Sequence, residues 1–121
     1  MVFTQELGAS GEALAAQFLT ARGFKILDRN YRLRSGEIDL IVTQGERLLF
    51  VEVKARRSFE EVSPLELISR KKQIHLSKTA QHYLAKNRLW NRAASFALVV
   101  VDITSGQCEL VEDIFTTQWG Y

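Results

Sequence analysis

At 121 residues the chain has room for one domain, and its 46% hydrophobic and 25% charged residues are an ordinary globular composition. The net charge of +2 is too mild to argue by itself for a polyanionic partner. The sequence excludes an internal disulfide, since Cys108 is its one cysteine, and it has no apolar run near the ~18 residues a bilayer span needs. The first ten residues also lack the basic-then-apolar order of a signal peptide, so the expectation is a cytoplasmic protein with no membrane partner.

From about Thr4 to Arg22, the residues Leu7, Leu14, Ala15, Phe18 and Leu19 recur at helical spacing. Gly23 follows where a left-handed C-terminal cap belongs. Phe24 to Arg32 reads as a strand, Arg34-Ser35-Gly36 as a turn, and Gly36 to Thr43 as a second strand. Gln44-Gly45-Glu46 is short enough to close a hairpin onto Arg47 to Ala55, a third strand rich in β-formers. Ser63-Pro64-Leu65-Glu66 has the form of a capping box with proline at the first helical position. It predicts a helix running to about Asn87, with Leu67, Ile68, Ile74, Ala80, Tyr83 and Leu84 as the apolar stripe. Phe96 to Ile103 reads as a buried strand, Ser105-Gly106 as a turn, and Cys108 to Ile114 as a last strand. The order α-β-β-β-α-β-β predicts a single α/β domain over residues 1–121, with a mixed sheet of about five strands and helices packed on it.

Chemistry concentrates in the second and third strands. Alternation places Glu37, Asp39 and Ile41 on one face of the second strand, opposite Ile38, Leu40 and Val42. In the third strand Phe50, Glu52 and Lys54 share a face. If the two strands pair as a hairpin, Asp39 can stand opposite or diagonal to Glu52, close enough for both to share one ion. Two adjacent carboxylates repel unless a cation or a proton compensates. A hard divalent ion, Mg²⁺ or Mn²⁺, suits such oxygen ligands together with phosphate and water. Lys54 would then place a positive charge beside a reacting phosphodiester.

The same spacing also fits a solvated Asp–Lys pair on a surface strand, worth about 0–1 kcal/mol. Against that plainer reading, Glu52 and Lys54 interrupt a strand otherwise suited to burial, and Arg56 and Arg57 extend the charged line. Further basic residues, Arg22 to Arg34 before the acids and Arg70-Lys71-Lys72 after them, fit either a solvated surface or a phosphate backbone. Phe18, Phe24, Phe50 and Phe96 are expected in the core, and Trp90 is expected to pack at a helix end. His75 and His82 lie seven apart, the wrong interval for a shared metal.

Gly11-Glu12, Asn30-Tyr31-Arg32, Gly36-Glu37-Ile38-Asp39-Leu40-Ile41 and Phe50-Val51-Glu52-Val53-Lys54-Ala55-Arg56 together resemble the bacterial YraN-like family. That family is assigned to the PD-(D/E)xK nuclease superfamily of restriction enzymes and Holliday-junction resolvases. The resemblance covers nearly the whole chain and implies a restriction-endonuclease-like three-layer sandwich. It implies Asp39 and Glu52 as metal ligands and Lys54 as catalytic lysine, with Glu12 and the Val53 carbonyl as further ligands. Glu37 would be a supporting acid, and Arg34, Arg56, Arg57 and Lys72 would contact nucleic acid. One departure stands out: where the family commonly has arginine-phenylalanine-aspartate, this chain has Ser95-Phe96-Ala97.

The expected function is therefore a Mg²⁺- or Mn²⁺-dependent nuclease acting on DNA, with branched or damaged DNA suggested by analogy alone. The alternative is a non-catalytic module of the same fold that binds nucleic acid or a protein partner. A resolvase-like role would call for a homodimer.

Overall fold

The computed structural model describes residues 4–57 and 68–115, with side chains from residue 10 onward. Its elements are α1 (Thr4–Ala21), β1 (Lys25–Leu33), β2 (Gly36–Gln44), β3 (Arg47–Arg56), α2 (Arg70–Lys86), β4 (Ala93–Asp102) and β5 (Cys108–Glu112). This is the predicted order. The strands form one mixed sheet in chain order, antiparallel throughout except for β3 and β4, which run parallel. A parallel pair needs a crossover, and α2 lies in it.

The sheet is covered on both faces, which gives the three-layer sandwich. Ala15, Ala16 and Leu19 of α1 pack on Leu40, Val42, Leu49, Val51, Ala97, Val99 and Val101. On the other face, Leu76, Ala80, Tyr83 and Leu84 of α2 pack on Ile38, Ile41, Leu48, Phe50, Phe96, Leu98 and Val100. Central strands buried on both sides must be apolar at successive positions, as Leu48 to Val51 and Phe96 to Val101 are. The expected aromatic core is present: Phe24, Phe50 and Phe96 are buried and Phe18 is partly buried. Phe50 meets the Tyr83 ring edge-on at 6.0 Å and the Phe96 ring at 5.4 Å, favourable geometries for aromatic pairs.

Local chemistry explains several boundaries. Gly23 adopts φ +92° at the end of α1, and the Gly23 and Phe24 amides donate to the Thr20 and Leu19 carbonyls, a Schellman close. The β2–β3 hairpin turns at Gly45, φ +61°, with Gln44 paired to Arg47.

Three expectations need correction. The second helix begins at Arg70, capped by Ser69, whose hydroxyl accepts from the Lys72 amide at 3.1 Å; Ser63 to Glu66 and Leu67 lie outside the described residues. Ile74 is 42% exposed instead of part of the buried stripe, because the face pressed on the sheet is the one holding Leu76, Ala80, Tyr83 and Leu84. Trp90 is 60% exposed and so does not pack at the helix end.

Candidate functional site

The two-residue alternation predicted for β2 fails at one place. Ile38 and Ile41 both join the core under α2, while Leu40 joins the core under α1. The strand therefore changes its facing around Asp39. Beside it in β1 is Asn30, which lies between the Arg29↔Leu40 and Tyr31↔Ile38 pairs and adopts a left-handed φ of +51°. Asn is among the few residues that tolerate this conformation. The β2–β3 ladder also ends here: its last rung is Leu40↔Val51, and the next would have matched Asp39 with Glu52.

Instead, the Val53 amide donates to Asp39 Oδ2 at 2.8 Å. A side-chain carboxylate thus satisfies a backbone donor that the departing strand leaves behind. Asp39 stands in the fork between two diverging strands, not on one face of a continuous sheet. The proximity predicted for Asp39 and Glu52 is realised through this fork, while the face-pairing reason given for it does not hold.

Four elements supply the surrounding groups. Glu12 comes from α1, whose Gly11 approaches β3 so closely that an added Cβ would lie 3.0 Å from the Ala55 Cβ. Its Oε2 accepts from Asn30 Nδ2 at 3.3 Å, and its carboxyl is within hydrogen-bonding reach of Asp39. Glu52 is 7% exposed and points to the α2 side, where Lys72 Nζ donates to its Oε1 at 2.9 Å. Lys54 Nζ lies 3.8 Å from the same oxygen. Glu52 Oε2 is buried and takes no hydrogen bond among the described residues.

The electrostatics follow from this crowding. Burial and the neighbouring Glu52 carboxylate push Asp39 up from 3.8 to about 8, against the opposing pull of the Val53 amide. Glu12 is also raised, first by burial and then by Glu37. Lys54 is lowered by burial and by the positive charge of Lys72, though Glu52 resists this. Burial is the largest influence on Lys72 and pulls it down, but the hydrogen bond to Glu52 and the negative charges of Glu52 and Asp39 together outweigh it and the net shift is upward.

Three acids and two lysines thus meet, and one buried acceptor oxygen remains unpaired. The donor set is all hard oxygen, and the unpaired Oε2 together with the repelling Asp39 carboxyl is what a divalent cation would relieve. Among the described residues, no three His, Cys, Asp or Glu side chains stand ready as a closed cage. The arrangement suits an ion held by two carboxylates and completed by water and phosphate.

The other predicted site residues are placed less centrally. Glu37 pairs with Arg32 at 3.2 Å and acts on the cluster through its charge on Glu12. Arg34 is exposed on the β1–β2 turn. Arg57 is exposed, and Arg56 Nη1 donates to the Ala55 carbonyl at 2.8 Å. Among the described residues none of these three arginines pairs with an acid of the cluster. Lys72, expected on the second helix as a basic residue near the site and a contact to nucleic acid, is the closest ion-pair partner of Glu52. The sequence reading missed Asn30 as a site residue, although an Asn amid strand-formers is a signal for a left-handed break. Ala97 is fully buried under α1, so the missing aspartate falls in the apolar core there. His82 Nδ1 lies 2.9 Å from the Tyr31 hydroxyl, away from the acids. Burial raises the Cys108 thiol, which opposes a nucleophilic role. Among the described residues no helix is long and apolar enough to cross a membrane.

The model of Uncharacterised protein family UPF0102 matches residues 11–103, a span that holds Glu12, Asn30, Asp39, Glu52, Lys54 and Lys72. A UPF0102 protein of Syntrophus aciditrophicus is 40% identical over 126 aligned positions, which cover 99% of each chain. A UPF0102 protein of Symbiobacterium thermophilum is 41% identical over 117 positions, 93% of this chain and 98% of its own. One from Rhodococcus opacus is 42% identical over 119 positions, 95% of this chain and 100% of its own.

Proposed function

The chain belongs to protein family UPF0102, and for a member carrying this acid–lysine cluster we propose a divalent-metal-dependent nuclease that hydrolyses phosphodiester bonds in DNA. The observation that carries the reading is the fork at Asp39, where a ladder rung is given up, the Asp39 carboxyl feels the neighbouring Glu52 and two lysines close on Glu52. A fold has little reason to bury repelling acids there unless a ligand compensates them. The resemblance to the PD-(D/E)xK nucleases supports the same assignment from the sequence side.

In this reading Asp39 and Glu52 would hold Mg²⁺ or Mn²⁺, with the Val53 carbonyl and Glu12 as further ligands implied by that resemblance. Bound there, the ion would polarise a phosphoryl oxygen and favour ionisation of a water molecule. Lys72 holds Glu52 through Oε1, which leaves Oε2 as its free acceptor. Lys54 sits on the same carboxylate and would set positive charge beside the scissile phosphate. Val53 fixes the second oxygen of Asp39 and so orients the other.

The test is Mg²⁺-dependent cleavage of labelled linear, branched and single-stranded DNA. Asp39→Asn should lower cleavage at least about 100-fold, about 2.7 kcal/mol of barrier. Equal behaviour of Asp39→Asn and the unsubstituted chain on every substrate would remove the reading. A second reading, a non-cutting binder of nucleic acid, draws on Lys72, which already offsets part of the acidic charge without an ion. It predicts the opposite sign for binding: Asp39→Asn with Glu52→Gln would tighten affinity for DNA, and no cleavage would be seen at all.

A further inference from the structure

Charge is distributed unevenly along this chain. The 17-residue α2 carries five Lys and Arg, namely Arg70, Lys71, Lys72, Lys78 and Lys86, and no acid. The whole chain has 16 basic and 14 acidic residues, so everything outside α2 holds eleven against fourteen, a net of −3. The positive balance of the protein is a property of one helix.

Its direction is set by packing. Leu76, Ala80, Tyr83 and Leu84 face the sheet, and Lys72 turns inward to Glu52. Lys71, His75, Lys78 and His82 then fall at i, i+4, i+7 and i+11 on the outward side, and all four are exposed. At 1.5 Å per residue they form a straight row about 16 Å long. The β1–β2 turn abuts the middle of that row: a Cβ added at Gly36 would stand 3.4 Å from the His75 Cβ, and the Ser35 and Thr79 hydroxyls are 2.6 Å apart. Exposed Arg34 lies in the same turn. Among the described residues, Arg34, Lys71 and Lys78 make no ion pair. Lys71 and Lys72 are consecutive, so the outward row and the acidic cluster flank the same turn of helix.

From this placement we infer that the outward face of α2, extended by Arg34, seats the phosphate backbone of a double-stranded nucleic acid beside the acidic cluster. The choice of a nucleic acid over an acidic protein rests on the proposed activity of that cluster. The choice of a duplex comes from the row itself, which is straight and carries no Phe, Tyr or Trp. Single-strand binders depend on such rings for base stacking. Ile74 is the one large apolar side chain exposed on α2, too little for the apolar centre of a protein interface.

Binding is measured without divalent ions, in EDTA, so that cutting cannot interfere. A labelled 30-base-pair duplex is titrated with full-length chain across a series of salt concentrations. Lys71→Gln with Lys78→Gln should make the log K against log salt slope shallower by about 1.8, about 0.9 for each phosphate that is no longer neutralised. A charge-matched control on β1, Lys25→Gln with Arg29→Gln, should leave the slope as it was. All four positions are exposed, and circular dichroism checks that each variant is folded. Equal slopes in the two double variants would overturn the inference. So would tighter binding to a single strand that the α2 substitutions leave unchanged. A duplex slope that depends on Lys71 and Lys78 in a chain that never cleaves DNA would support this surface while removing the nuclease reading.

Discussion

The two halves of the β2–β3 pair make opposite use of the same two strands. From Leu40↔Val51 to Gln44↔Arg47 the ladder is unbroken, and Leu40, Ile41, Val42 and Leu48 to Val51 are buried at 1% exposure or less. One rung further the strands part, Asp39 replaces a carbonyl on the Val53 amide, and charged groups from four elements fill the gap. The closed half is a source of stability, since apolar area leaves water and the backbone pairs rung by rung. The open half keeps its exposed donor satisfied but gathers acids that repel one another. A fold can concentrate reactive groups where it forgoes a regular pairing, provided the neighbouring rungs are firm enough to carry the cost.

That contrast breaks most easily at Phe50. Its ring lies at the centre of the α2-side core, between Tyr83 and Phe96. Phe50→Ala should lower unfolding free energy by about 3–5 kcal/mol, from lost transfer energy and the cavity left behind. Urea denaturation reads this directly. A loss below about 1 kcal/mol would mean that the closed half is not the part that holds the sheet.

The open half should respond to pH with a definite sign. The Asp39 carboxyl is raised from 3.8 to about 8 by burial and Glu52, so without a metal the folded chain holds a proton there that the unfolded chain releases. Its favourable contribution is fully present below about 3.8 and is lost as pH rises toward about 8. The melting temperature in EDTA should therefore fall between pH 5 and 8. Asp39→Asn should flatten that fall and melt higher than the unsubstituted chain at pH 8, because an amide can still accept from Val53 without charge. In the proposed nuclease, added Mg²⁺ should restore most of the loss at pH 8 in the unsubstituted chain alone. Parallel profiles for the two proteins in EDTA would show that Asp39 does not govern the effect.

Much of the closed half was legible from sequence because apolar runs and turn residues are local signals. All five strands, the hairpin at Gly45 and the close at Gly23 follow from such signals. The acids and Lys54 were legible as types and spacing. The way they meet was not, since alternation assumes a regular strand and β2 changes its facing at Asp39. Nothing in the residues around 39 marks the break except its partner in β1, Asn30, whose left-handed backbone becomes informative only once the register is known. The contact of Lys72 with Glu52 was hidden for a related reason. Its inward turn depends on where α2 begins, and the stronger-looking cap at Ser63 drew the predicted start six residues ahead of Ser69.

The smallest stability effect is expected at Gly11, where the two halves can be separated by geometry alone. Replacing a helical glycine with alanine favours the helix by about 0.8–1 kcal/mol. The new Cβ, however, would stand 3.0 Å from the Ala55 Cβ and 3.9 Å from Val53 Cγ1. Relief to an ordinary separation requires α1 to lift from β3 by about 0.5 Å, and overpacking of this kind costs about 1–3 kcal/mol. The cost exceeds the gain by about 0–2 kcal/mol, so Gly11→Ala should lower the melting temperature modestly, and by less than Phe50→Ala. The displacement is delivered to the next residue, Glu12, and through it to Asn30 and Asp39. Misplacement by 1 Å can cost about 100-fold in rate, so in the proposed nuclease half that displacement should lower cleavage by about tenfold. Undiminished cleavage with an unchanged melting curve would mean that the open half does not depend on how closely α1 sits on β3, and Glu12 would leave the list of groups that matter.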